Sequence, residues 1–123
     1  VAAVLSGLPS TTYALVTGRD PLAATLAAGS LLLPRETRSE RLLLAATPVH
    51  VAISLVWGLA LARVLPRRPS LTAGAVAGIA IAALDLGLVG PRFARVRALP
   101  LGPQLADHVA YGITVAAVLR RRR

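Results

Sequence analysis

ERLLLAATPVHVAISLVWGLALARV (residues 40–64), LPRRPS (65–70) and LTAGAVAGIAIAALDLGLVG (71–90) form the stretch whose reading decides the fold. Two apolar runs flank a short basic turn that holds two prolines. At about 1.5 Å per residue each run is long enough to cross a hydrocarbon core of about 30 Å. Neither run carries the continuous polar stripe that a helix on a water-soluble core needs.

Both runs carry small residues at helical spacing. His50, Ser54, Gly58 and Ala62 recur every four positions in the first, and Gly74, Gly78 and Ala82 in the second, with Asp85 three further on. Folding the runs together about Pro66–Pro69 sets Ala62 level with Gly74, Gly58 with Gly78 and Ser54 with Ala82. His50 then lies beside Asp85. Small residues let helices approach closely in lipid, so the G-x-x-x-G of Gly74 and Gly78 is expected to pack on Gly58 within the chain. Homodimerisation through the same face is the alternative.

Working outward, Val1–Thr17 is apolar but interrupted by Pro9 and the polar run Ser10-Thr11-Thr12-Tyr13. The chain opens on valine, so this helix is expected either to be truncated or to open from a non-Met start codon. Gly18-Arg19-Asp20-Pro21 reads as a stop and restart: glycine after the helix end, Asp20 as N-cap, Pro21 at the first helical position. Residues 21–33 would extend only about 20 Å, so a re-entrant or interfacial helix is expected. Thr37 and Glu40 fit a capping box that opens the 40–65 helix, and Ser70 fits an N-cap for 70–90. Pro48 is expected to kink the 40–65 helix one turn before His50. The last helix is placed at 104–119, where His108, Gly112 and Ala116 repeat the spacing of small residues behind a histidine.

Composition supports the same class. Hydrophobic residues make up 55% of 123 residues, and mean hydropathy is +0.68. The expected fold is an all-α integral membrane protein. It is a small polytopic helical bundle of four long helices plus one short helix, in a single transmembrane domain over 1–123.

The net charge is +9, with every basic residue an arginine. Four aromatic residues without arginine interleaving argue against a nucleic-acid surface. Arg67, Arg68, Arg92, Arg95, Arg97, Arg120, Arg121, Arg122 and Arg123 flank the apolar runs instead, and are expected to contact anionic lipid headgroups. The contiguous arginine tail places the C-terminus on the cytoplasmic side. Arginine without lysine or asparagine, amid abundant Ala, Leu, Val, Gly and Pro, suggests a GC-rich bacterial genome and hence a bacterial inner membrane. The absence of cysteine excludes disulfides, thiolate metal sites and c-type haem attachment.

The chemistry-bearing residues gather toward one end of the helices. Counting from the helix ends puts His50, Asp85, Asp107, His108, Thr12 and Tyr13 about 5–14 Å below one membrane face. Ionisable residues within spans are candidates for function. Five readings compete. Asp85 and His50 lock helix register; the cluster relays protons or ions; it binds a metal; His50 and His108 ligate haem; or it is a partner or lipid site. No G-x-S-x-G, H-E-x-x-H or P-loop is present, so no autonomous enzymatic activity is expected. The expected function is an accessory or scaffold subunit, or a homo-oligomer, packed through the small faces (Ser54, Gly58, Ala62, Gly74, Gly78, Ala82, Gly112, Ala116). A small transporter or proton/ion conductor is second. A haem- or metal-binding redox subunit is third, and no cofactor is assigned.

Overall fold

The computed structural model describes residues 1–122. Arg123, one of the arginines expected at headgroups, lies outside the described residues. The described chain is all-helical: α1 (Ala2–Leu5), α2 (Leu8–Thr17), α3 (Ala23–Leu32), α4 (Ser39–Val64), α5 (Leu71–Leu84), α6 (Ala94–Arg97) and α7 (Leu101–Arg122). A π-helical turn, Asp85–Val89, and a 3-10 turn, Gly90–Arg92, continue α5. Two continuous helical stretches, Ser39–Val64 and Leu71–Arg92, are long and apolar enough to cross a membrane, each with mean hydropathy 1.9.

Several ends form as their sequence dictates. Gly18 adopts a left-handed φ of 70° and closes α2, the Arg19 N–H bonding the Ala14 carbonyl at 2.8 Å. Asp20 Oδ1 accepts the Leu22 N–H at 2.9 Å, but α3 opens only at Ala23 with Leu22 as its N-cap, so Asp20 is not the helix cap and Pro21 lies in the turn before the helix. Ser70 Oγ accepts the Ala73 N–H at 3.0 Å and caps α5.

Other expectations are corrected. The 1–17 segment is two helices, broken at Ser6-Gly7, so the chain does not show four long helices. Pro9 sits in the first turn of α2, where a missing N–H is harmless. The Thr37–Glu40 capping box does not form. Glu36 Oε1 takes the N–H groups of Thr37 and Arg38, both at 2.9 Å, and its other oxygen lies 3.5 Å from Arg41. Those hydrogen bonds hold the Glu36 carboxyl below its usual range, the Arg38 N–H contributing most.

Helices associate in two pairs. In the first, α3 lies on α4, and Gly29 meets Leu42 so closely that a Cβ there would collide with the Leu42 backbone. In the second, α5 and α7 run antiparallel. A Cβ at Gly74 would sit 2.6 Å from the Gly112 carbonyl oxygen and 2.7 Å from Ala116 Cβ. One at Gly78 would strike the backbone of His108 and Val109. The glycine stripe of α5 therefore packs on α7, not on Gly58 of α4. Leu61, Ile81, Tyr111 and Val115 fill the core where α4 meets this second pair.

Candidate functional site

The two helix pairs meet along only part of their length and leave a cleft of about 490 Å³ between them. Its walls come from α1, α2, α3, α4, the α5–π segment and α7. His50, Asp85, Asp107 and His108 all line it. Thr12 and Tyr13 do not. The face of α2 turned inward carries Ser10 and Ala14, which leaves the positions between them exposed. Tyr13 instead lies under the Arg19 guanidinium, 5.9 Å from ring centroid to Cζ.

The expected His50–Asp85 contact is absent, and the register explains why. Asp85 Oδ2 accepts the Trp57 indole N–H at 3.1 Å, so Asp85 meets α4 two helical turns beyond His50. The same oxygen lies 3.3 Å from His108 Nε2. His50 Nε2 reaches the Ala3 carbonyl of α1 at 2.6 Å.

Tyr111 sets the spacing between α4 and the second pair. Its hydroxyl donates to the Ser54 carbonyl oxygen at 2.5 Å, and a Cβ at Gly58 would lie 3.3 Å from it. The small stripe of α4 thus receives a tyrosine tip rather than the glycines of α5. Ala62 lies half-buried farther along that helix, and Ala82 is buried on α5.

Asp107 has a different task. Its Oδ1 accepts the Ser10 N–H at 2.8 Å. Ser10 is in the first turn of α2, whose own N-cap, Gly7, offers no side chain. Unpaired N–H groups and the positive end of the helix dipole both favour a carboxylate at that point. Asp107 on α7 therefore caps α2 from across the cleft.

The hydrogen inventory of the Asp85–His108 pair follows from its partners. His108 Nδ1 lies 2.7 Å from the Gln104 carbonyl oxygen, which only accepts, so Nδ1 carries a hydrogen. A hydrogen bond across the 3.3 Å between Nε2 and Oδ2 requires one further hydrogen there. The pair is then imidazolium with carboxylate or imidazole with carboxylic acid, and both are neutral overall.

Among the described residues no three His, Asp or Glu side chains converge as a metal site. The two histidines are each bonded elsewhere: His108 through both ring nitrogens, and His50 through Nε2. Ligation of one haem iron by both would break His108 from Gln104 or Asp85.

Sequence reasoning passed over Trp57 and Gln104, and met Ser10 only as part of the polar run after Pro9. Trp57 had a usable signal: it lies seven residues after His50, on the same face, and a half-buried indole N–H needs an acceptor. The π turn beginning at Asp85, closed by the Gly90 N–H on the Asp85 carbonyl, had none. No family model, curated protein or solved structure matches this chain.

Proposed function

We propose that this chain is a small integral membrane protein whose cleft binds a cation and carries it, a transporter rather than a scaffold. One observation carries the reading. In a chain of net charge +9, the cleft is lined by Asp85, Asp107, His50 and His108 and by no arginine among the described residues. Arginine side chains, which carry all of the chain's fixed positive charge, are absent from the described lining of this cleft. Site field and chain charge have opposite tendencies, as a cation site in a headgroup-anchored protein requires.

The membrane reading is supported by the outward faces of the two apolar stretches. Leu44, Leu55, Val56 and Leu59 on α4 are exposed, as are Val76, Ile79 and Leu88. Such breadth of apolar surface suits lipid. Arg67, Arg68, Arg92, Arg97 and Arg120–Arg122 are exposed at or beyond helix ends, where anionic headgroups would meet them. In this reading α7 and the α1–α2 segment complete the bundle, α3 lies along α4 as a short helix, and the arginine tail faces the cytoplasm of a bacterium.

The small-residue faces, which favoured a scaffold, are consumed inside the chain: Gly29, Gly74, Gly78, Gly112 and Ala116 are all buried. An accessory or homo-oligomeric role is the second reading, favoured by the exposed α4 face, which a neighbouring helix would cover as well as lipid. Reconstitution separates the two. In liposomes bearing a pH gradient, the wild type should drive uptake of a cationic dye, and Asp85→Asn should abolish it. Vesicles that remain inert, around a protein that purifies with a stoichiometric partner, would favour the accessory reading.

A further inference from the structure

The reading of the cleft as a cation site leaves its ligand unspecified, and the Asp85–His108 pair narrows the choice. One hydrogen is shared across their 3.3 Å contact, while His108 Nδ1–H is committed to Gln104. Removal of the shared proton leaves two acceptors facing each other and one net negative charge. Trp57 donates to that same carboxylate oxygen and steadies the charged form.

No fixed cation stands ready to neutralise the deprotonated pair. The other titratable groups lining the cleft are His50 on α4 and Asp107 and Tyr111 on α7. Among the described lining residues, α1, α2, α3 and the stretch through α6 contribute no charged group. His50 is turned to Ala3, Asp107 to Ser10, and Tyr111 to Ser54. With no arginine in the described lining, a solute entering the cleft can supply the balancing charge.

We propose that the Asp85–His108 pair is an exchange site at which one lipophilic monovalent organic cation replaces one proton. Charges balance: the cation brings +1, and the proton departs to water. The N–H or O–H bond to that proton is the only bond broken. A divalent inorganic ion fits poorly, because calcium and magnesium take six or more oxygen ligands and no three acidic or histidine side chains converge among the described residues. A bulky, weakly hydrated cation needs little coordination. The alanine, leucine and isoleucine walls suit its hydrocarbon, and the half-buried ring of Trp57 suits its charge.

The inference rests on the cation-site reading, and one experiment distinguishes failure of each. Tetraphenylphosphonium and tetraphenylborate share size and shape but differ in sign. Titrating each into the full chain in nanodiscs, in two buffers of different ionisation heat, gives both affinity and protons released. The expected result is binding of the phosphonium alone, with one proton released per cation. Its affinity should rise about tenfold per pH unit while the pair remains protonated in the free protein. Asp85→Asn should eliminate proton release; the wild-type proton count stands even if that variant fails to fold. Phosphonium binding without proton release would overturn the exchange but leave the cation site. Equal binding of both ions, or of neither, would overturn both.

Discussion

The α5–α7 seam and the α4–α7 seam are built from the same residue types and behave oppositely. At the first, backbone meets backbone: Gly74 and Gly78 admit the Gly112 carbonyl and the His108–Val109 main chain. At the second, the hydroxyl of Tyr111 stands between the helices and rests on the Ser54 carbonyl. The first seam is closed by contact; the second is propped, and the cleft is the space left beside the prop. A glycine thus marks close approach only where its partner presents main chain to it rather than a side-chain tip. The Gly112 and His108–Val109 main chain meets that condition for α5, and the Tyr111 hydroxyl facing Gly58 does not.

The sharpest way to break this contrast is to add side-chain bulk on each side. Gly112→Val places branched carbon against the Gly74 carbonyl and Gly78 nitrogen, neither of which moves without moving a helix. It should cost about 3 kcal/mol or more, seen as a large fall in thermal midpoint in detergent. Gly58→Ala meets only the tip of Tyr111 and removes a helix-weakening glycine, so it should change stability by less than about 1 kcal/mol. Equal losses would refute the distinction between closed and propped seams.

Next in size is the cap that joins α7 to α2. Asp107→Ala should cost about 1–2 kcal/mol and speed amide exchange at Ser10, while Asp107→Asn, which retains an acceptor, should lose less. Tyr111→Phe removes the prop's hydrogen bond and leaves the Ser54 carbonyl to its helix, for a loss of about 1 kcal/mol. A spin-label pair on α4 and α7 should then report a broader distance distribution. The smallest effect belongs to the loop before α4. Glu36 titrates below its ordinary value of 4.5 because its carboxylate holds the Arg38 and Thr37 N–H groups. Its contribution to stability is therefore full above the unfolded value and disappears as pH falls through the folded one. The Thr37 and Arg38 amide resonances should shift together through that transition.

Local signals carried much of the architecture. The long apolar runs at 39–64 and 71–92, the αL glycine at Gly18 and the Ser70 cap all depend on nearby residues, and all were legible. Partner choice was not. The α5 stripe could have met Ser54-Gly58-Ala62 or His108-Gly112-Ala116, since both recur every four residues. Spacing cannot weigh the difference between one glycine and a glycine flanked by a tyrosine that fills the other face. The same limit hid the pairing of Asp85 with His108 and Trp57, although His50, Asp85, Asp107 and His108 all reached the cleft. The break at Ser6-Gly7 could have been read: Gly7 followed closely by Pro9 is a breaker signal akin to Gly18–Pro21, although Gly7 stays right-handed at φ −81°. Glu36 won over Thr37 because its longer side chain reaches two N–H groups and Arg41 together, a competition that a motif does not express.

The bond from Asp107 to Ser10 spans 97 residues of sequence, and that distance has a temporal meaning. As the chain is synthesised from its first residue, α2 emerges with the donor at Ser10 lacking its acceptor, and the acceptor arrives with the last helix. Until Asp107 arrives, the Ser10 N–H depends on water or on another acceptor, so the first turn of α2 is completed only by the last helix.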